Sequence, residues 1–402
     1  MSPQLPDGDA APPDGALPAS ALAALATTPL SAYVHVPFCR VRCGYCDFNT
    51  YTPQELGGLA PSTYVDAAIA EIRLARRVLG DEVPRLETVF FGGGTPTMLP
   101  ASELGRLLGT LRDEFGLASD AEVTTEANPE TVDPSYFEEL REAGFTRISL
   151  GLQSVVPHVL RVLERAHTPR RGLDAAGWAV DAGFEHVSLD LIYGTPGESM
   201  DDWRRSLDAV LTAPVDHVSA YSLIVEEGTR LAVQVRRGEV GMPDDDDLAD
   251  KYLVADETLA ALGFDNYEVS NWARPGGECR HNLAYWRGVN WWGIGPGAHS
   301  HIGGVRFWNR KHPRSYSAEL AEGRSPALAR EVLTPDEQRV EEVLLRLRLR
   351  EGLPLDLLTT SERARVSRFV DQGLAVIDDR TLCLTRDGRL LADGVVRDLL
   401  DG

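Results

Sequence analysis

The chain has 402 residues, 43% hydrophobic and 25% charged, with 61 Asp and Glu against 40 Lys and Arg. That is ordinary usage for a globular protein with room for one large and one small domain. A formal charge of −21 excludes a broad phosphate-binding face, because nucleic-acid recognition needs clustered Lys and Arg, and no apolar run approaches the ~20 residues a membrane span requires.

Residues 1–29 are rich in Pro, Ala, Gly and Asp and contain no Lys or Arg. This predicts a disordered acidic tail with a short helix near Ala21–Ala26. The missing positive segment argues against a secretory leader, so the expected location is the cytoplasm, where free thiols persist. A second region, 30–243, then shows a regular rhythm. Short apolar or β-branched runs recur at Ala32–Val36, Thr88–Phe91, Glu122–Glu126, Arg147–Leu152, His186–Ile192 and His217–Leu223. Helical spacing lies between them. Val65, Ile69, Ile72 and Leu79 mark one helix, stopped by Gly80, and Ser199 with Asp202 form a capping-box pattern before another. Six repeats of strand and helix predict an α/β fold with a parallel sheet.

The first strand leads into Cys39-Arg-Val-Arg-Cys43-Gly-Tyr-Cys46, which holds three of the five cysteines. Thiolates are the ligands of iron–sulfur clusters. Three sulfurs on a four-iron cube leave one iron open, as a site that binds something further requires. Zinc sites usually pair two Cys-x-x-Cys elements, whereas Cys279 and Cys383 are single and distant. A disulfide is disfavoured by the low cysteine count and the absent leader.

The Cys-x3-Cys-x2-Cys spacing, with an aromatic before the last cysteine, resembles the radical S-adenosylmethionine (SAM) superfamily. The flank Tyr33-Val-His-Val-Pro-Phe-Cys39 narrows the resemblance to oxygen-independent coproporphyrinogen oxidase and its relatives, from about Tyr33 to the C-terminus. The resemblance implies an open six-stranded (β/α) barrel and a [4Fe–4S] cluster on Cys39, Cys43 and Cys46. Parallel barrels gather reactive groups at the C-terminal ends of their strands, and the unusual residues sit there: Gly92–Thr97, Glu126, Asn128, Gln153, Asp190, Tyr193, Tyr221 and Ser222. Glycines let a backbone approach a ligand and offer it N–H groups, although a run of glycines also suits a plain turn. Glu126 by itself reads equally as half of an ion pair. The resemblance implies that Gly93, Gly94, Thr95, Glu126, Gln153, Arg165 and Asp190 contact SAM, that Tyr33 and Tyr45 line it, and that Ser222 meets a second SAM.

Region 244–329 opens on Asp244–Asp247, a negative helix start that suits the helix dipole. It continues into His281-Asn-Leu-Ala-Tyr285-Trp286 and Trp291-Trp292-Gly-Ile-Gly295-Pro-Gly-Ala-His299-Ser-His301. With little periodicity, this reads as loops covering the barrel. Its aromatics and imidazoles could wall a macrocycle and ligate haem iron; composition alone favours an aromatic satellite of the core. His281-Asn-x-x-Tyr285-Trp286 resembles the signature of the haem-chaperone (HemW) branch, whose members bind haem and pass it to acceptors. The resemblance thus implies haem at His281, with His299 and His301 as competing ligands. The acceptor is unidentified, and a position at the membrane surface is one option. The oxidase carries a further cysteine two positions after the third cluster ligand, where this chain has Phe48. The main expectation is therefore a haem chaperone. The alternative is oxidative decarboxylation of coproporphyrinogen III by a 5′-deoxyadenosyl radical.

Region 330–402 reads helix (Pro335–Arg350), helix (Thr360–Gln372), two strands (Leu374–Ile377, Thr381–Thr385) and helix, an order that resembles a winged helix. Between Glu331 and Gly402, 11 Lys and Arg against 15 Asp and Glu exclude a DNA-reading wing.

Overall fold

A computed structural model describes residues 7–58, 60–165 and 168–401. Six strands form the centre: β2 (Leu30–Val36), β3 (Leu86–Gly93), β4 (Leu117–Ala127), β5 (Arg147–Gln153), β6 (His186–Tyr193) and β7 (His217–Ser222). Each pairs in parallel with the next. Five of the six expected runs are extended, by up to five residues at an end, and the sixth, β7, stops at Ser222, one residue short of the expected Leu223. Val34, Val89, Ile148, Leu150, Leu189 and Val218 are fully buried, as strands covered on both faces require. Helices such as Pro61–Leu79 and Met200–Leu211 cover the outside. The first ends at Gly80 with φ 83°, and Ser199 and Asp202 form the expected reciprocal cap of the second.

The sheet does not stop at six strands. The chain adds β1 (Asp9–Ala10), the hairpin β8 (Asp265–Glu268) and β9 (Asn271–Ala273) beside β7, and β10 (Asn290–Ile294), β11 (His299–Ile302), β12 (Val305–Asn309) and β13 (Ala327–Val332) beside β2. The order is β1-β13-β12-β11-β10-β2-β3-β4-β5-β6-β7-β9-β8. β10 runs parallel to β2, and β11–β13 continue antiparallel. The segment expected as loops thus contributes the strands β8–β12 and the helix Arg280–Trp286. The antiparallel hairpin β11–β12 turns through Gly303 and Gly304, both at positive φ.

Residues 7–29 are likewise not a free tail. Ala21 and Leu25 are buried, Asp9–Ala10 pairs with β13, and the Ser325 N–H donates to Pro13 O at 2.7 Å. Alanine-rich sequence keeps side chains small enough for the segment to lie close: a Cβ on Gly303 would meet Ala21 O at 2.6 Å.

The C-terminal domain has its own core of Val343, Leu347, Leu353, Val366, Phe369, Leu382 and Leu399. Helix Pro335–Arg346, β14 (Leu353–Pro354) and helix Thr360–Asp371 precede the hairpin of β15 (Ala375–Asp378) and β16 (Thr381–Leu384), which β14 joins in one small antiparallel sheet, and helices Arg386–Leu390 and Ala392–Asp401 follow. Arg389 pairs with Asp256 at 2.9 Å and Arg287 with Glu351 at 2.6 Å, tying this domain to the rest. No described helix is long and apolar enough to cross a membrane.

Candidate functional site

The cysteine loop leaves the C-terminal end of β2 and is fastened to its neighbours by backbone. Cys39 N donates to Tyr51 O at 3.1 Å, Thr95 N to Phe38 O at 2.8 Å, and Leu231 N to Gly44 O at 2.9 Å. The thiols of Cys39, Cys43 and Cys46 face one another closely enough for each charge to disfavour the next. Burial pushes the Cys46 thiol up to about 12 and Cys39 upward. Such thiols need a positive centre to ionise. Among the described residues, no three His, Cys, Asp or Glu side chains enclose a single metal ion. Three free thiols on one short loop are the donor set that an iron–sulfur cluster takes.

Arg165 faces all three thiols and Tyr45. Its guanidinium comes from the neighbourhood of β5, where a Cβ on Gly151 would meet Arg165 Nη2 at 2.8 Å and Gln153 Nε2 at 2.9 Å. Glycine at 151 is what lets both side chains enter. Gln153 itself is buried with φ 63°, a backbone conformation costly for a non-glycine residue and concentrated at functional sites. Arg165 Nε is buried with no protein partner among the described residues. It is an orphan cation-bearing group that suits an anionic ligand.

Two carboxyls complete the edge. Glu126, at the end of β4, accepts from Gly93 N at 3.2 Å, and burial together with nearby Asp190 pushes its pKa up to about 8. Burial also raises Asp190, although Ser149 Oγ donates to both its oxygens at 2.8 and 3.0 Å. Neither Glu126 nor Asp190 has a salt-bridge partner within 4.0 Å among the described residues. Buried acids left this way suit a cationic ligand such as an amino or sulfonium group.

The glycine run works differently from the expectation. Gly93 (φ 104°) leaves room for the His35 ring, which a Cβ would meet at 2.5 Å, and Gly94 leaves room for Phe38 O. The N–H groups of Gly93, Gly94 and Thr95 are spent on Glu126, Val36 O and Phe38 O, respectively. The run therefore fixes the cysteine loop and Glu126 rather than offering free donors. Tyr33 stacks on Phe90, and its OH lies 3.1 Å from His35 Nδ1; His35 Nε2 lies 2.9 Å from Asn49 O in the cysteine loop. His35 and Ser149 were not among the sequence candidates. The alternation Tyr33-x-His35 on one strand face was the readable signal for the first. Ser222 ends β7 within reach of the Tyr193 hydroxyl, on the same sheet edge.

His281 is placed elsewhere. Its Nδ1 lies 2.7 Å from Thr88 Oγ1 near the start of β3, its Nε2 lies 3.0 Å from Tyr285 Oη, and its ring stacks on Phe90. It is 1% exposed, and burial lowers its pKa to about 4. The helix it begins, Arg280–Trp286, closes the N-terminal end of the barrel. Arg147 Nε donates to Glu122 at 2.9 Å, and Glu122 accepts from the backbone of Arg280 and His281. Burial would raise the Glu122 pKa, but Arg147 and these donors hold it low. In this arrangement both nitrogens of the His281 ring are engaged, so the expected haem ligand is a satisfied core histidine.

Residues 33–210 match the radical SAM superfamily and residues 333–391 the HemN C-terminal domain. The chain is 55% identical over 379 residues to the heme chaperone HemW of Mycobacterium tuberculosis (strain ATCC 25618 / H37Rv), covering 94% of this chain and 97% of that one. It is 33% identical over 377 residues to heme chaperone HemW of Bacillus subtilis (strain 168), covering 91% and 97%. Among solved structures, coproporphyrinogen III oxidase (HemN) from Escherichia coli superposes with a TM-score of 0.81 at 24% identity, over 94% of this chain and 92% of that one. At that identity the likeness establishes the fold, and the implied [4Fe–4S] cluster and SAM come from the superfamily. The chain belongs to the HemW family of heme chaperones within the radical SAM superfamily.

Proposed function

We propose that this protein binds haem and hands it to an acceptor protein, on a scaffold that holds a [4Fe–4S] cluster and SAM. The observation that carries the reading is near-full-length similarity to heme chaperones, joined to Phe48 in place of a further cysteine beside the cluster loop. Cys39, Cys43 and Cys46 would hold the cluster, whose open iron supplies a site for the methionyl end of SAM. Arg165 would face the SAM carboxylate, and Glu126 with Asp190 would offset its positive charges. Gln153 would be preset by its strained backbone, and Tyr33, Tyr45 and Ser222 would bound the space. Gly93, Gly94 and Thr95 would hold the wall on which these meet. Phe48 is 57% exposed, so it stands on the surface of the loop rather than filling a pocket. The test is titration of haem into the anaerobically reconstituted full chain, followed by incubation with an apo haem protein. Saturation at one equivalent and transfer of the Soret band to the acceptor are expected.

A further inference from the structure

The extension meets the cysteine loop along two of its connections. One is the turn Gly295–Ala298 between β10 and β11, and the other is the stretch Arg310–His312 after β12. Backbone joins the two into a bracket: Gly297 N donates to Arg310 O at 3.0 Å, and Asn309 N to Ala298 O at 2.9 Å. Asn49 of the cysteine loop grips both arms. Its Nδ2 donates to Pro296 O at 2.9 Å and to Lys311 O at 2.8 Å, while its Oδ1 accepts from Tyr51 Oη at 3.2 Å. Carbonyls only accept, so both partners impose the same orientation on the amide.

Glu71 holds the same two arms from the far side. It projects from helix Pro61–Leu79 and accepts from Gly295 N at 2.8 Å and from Asn309 Nδ2 at 2.7 Å. Tyr316 Oη, on helix Pro313–Ala321, donates to it at 2.5 Å. Glu71, Asn309 and Tyr316 are all buried. Two glycines allow the close approach. A Cβ on Gly297 (φ 75°) would meet Asn49 Nδ2 at 2.6 Å, and one on Gly295 (φ 110°) would meet His35 O at 2.5 Å.

Asn49 stands between the attachments of the cysteine triplet. Cys46 lies three residues before it. Two residues after it, Tyr51 O accepts from Cys39 N at 3.1 Å, and its own carbonyl lies 2.9 Å from His35 Nε2. A shift at Asn49 therefore moves both ends of the thiol set. We infer that Asn49 is a positioning residue for the cluster, setting through the bracket where Cys39 and Cys46 stand, with Glu71 as the bracket's anchor. The extension thus serves the cluster side of the barrel as well as closing its floor through Arg280–Trp286. This rests on the cluster assignment above and is independent of where haem binds.

The test uses the full chain with its cluster reconstituted anaerobically. Asn49→Asp keeps the size of the side chain but sets an oxygen against two carbonyls, and Asn49→Ala removes the amide. Both are expected to lose iron to a chelator about tenfold faster than the wild type. Both should also need about tenfold more SAM to change the electron paramagnetic resonance signal of the reduced cluster. Gly297→Ala displaces the amide by contact without removing it, so it is expected to shift both readouts in the same direction, and it decides the matter should Asn49→Ala not fold. Arg389→Ala, which loosens the C-terminal domain from Asp256, is expected to match the wild type in both, separating displacement of the loop from general loss of stability. Wild-type chelation rates and SAM response in the Asn49 variants, or equal losses in Arg389→Ala, would overturn the inference and leave the cluster standing. A wild type without a SAM response would overturn the SAM reading, and the chelation rates then decide the inference. A wild type that takes up no cluster would overturn both the assignment and the inference.

Discussion

The Nδ1 of His281 and the Oγ1 of Thr88 are 2.7 Å apart, and Thr88 Oγ1 in turn donates to Ser31 Oγ at 2.8 Å. The most distinctive histidine of the chain thus joins two barrel strands from below. Removing it takes a partner from Tyr285 Oη and leaves Thr88 Oγ1 with Ser31 alone, in a closed space. His281→Ala should cost about 2–4 kcal/mol of stability, from a lost buried hydrogen bond plus a cavity. Denaturant melts of the apo-protein check this; a change under half a kilocalorie would show that the ring is not a structural tie.

The cluster assignment predicts about four irons per reconstituted chain. Alanine at Cys39, Cys43 or Cys46 should abolish the visible cluster absorption. Cys383→Ala should leave it intact, since that thiol lies on β16 in the separate C-terminal domain. Iron content and spectra of the four variants decide the matter, and loss of the cluster in Cys383→Ala alone would refute the assignment.

Gly93→Val should remove the effect of SAM on the electron paramagnetic resonance signal of the reduced cluster. A branched side chain at φ 104° would collide with His35 and displace both the cysteine loop and Glu126. A wild-type response to SAM in this variant would mean that the glycine wall is not needed for the site.

Much of this was readable from the chain. The six barrel strands announce themselves as apolar runs, Ser199 and Asp202 cap their helix through contacts three residues apart, and the cysteine triplet is local. What stayed hidden depends on distant partners. Glu71 looks like a surface residue of an amphipathic helix, yet it is 1% exposed and accepts from Asn309, 238 residues later, from Tyr316 and from Gly295. The burial of His281 follows from Glu122 and Arg147, residues that the strand pattern leaves unremarked. The strands β10–β12 escaped because tryptophan, histidine and glycine blur the two-residue alternation.

Glu71 also sets a pH dependence. Burial pushes its pKa up to about 7 from an ordinary 4.5, against the pull of its three donors. A carboxyl that holds its proton more tightly when folded contributes stability that is full below about 4.5 and is lost as pH rises through about 7. The stability of the wild type relative to Glu71→Gln should therefore fall between these values, as denaturant melts across pH would show. A flat difference, or one that grows with pH, would contradict the buried-acid assignment.

Phe48 predicts that coproporphyrinogen III is not decarboxylated under anaerobic, reducing conditions with SAM. Product formation at about one turnover per second or faster would favour the oxidase instead.

The most direct test of the central claim is a haem titration of the reconstituted full chain, recorded anaerobically in the visible range and followed by addition of an apo haem protein. The account predicts a Soret band that saturates at one equivalent, cluster absorption that persists throughout, and haem that moves to the acceptor. A protein that takes up no haem, or that takes it up only as its cluster is lost, would contradict it.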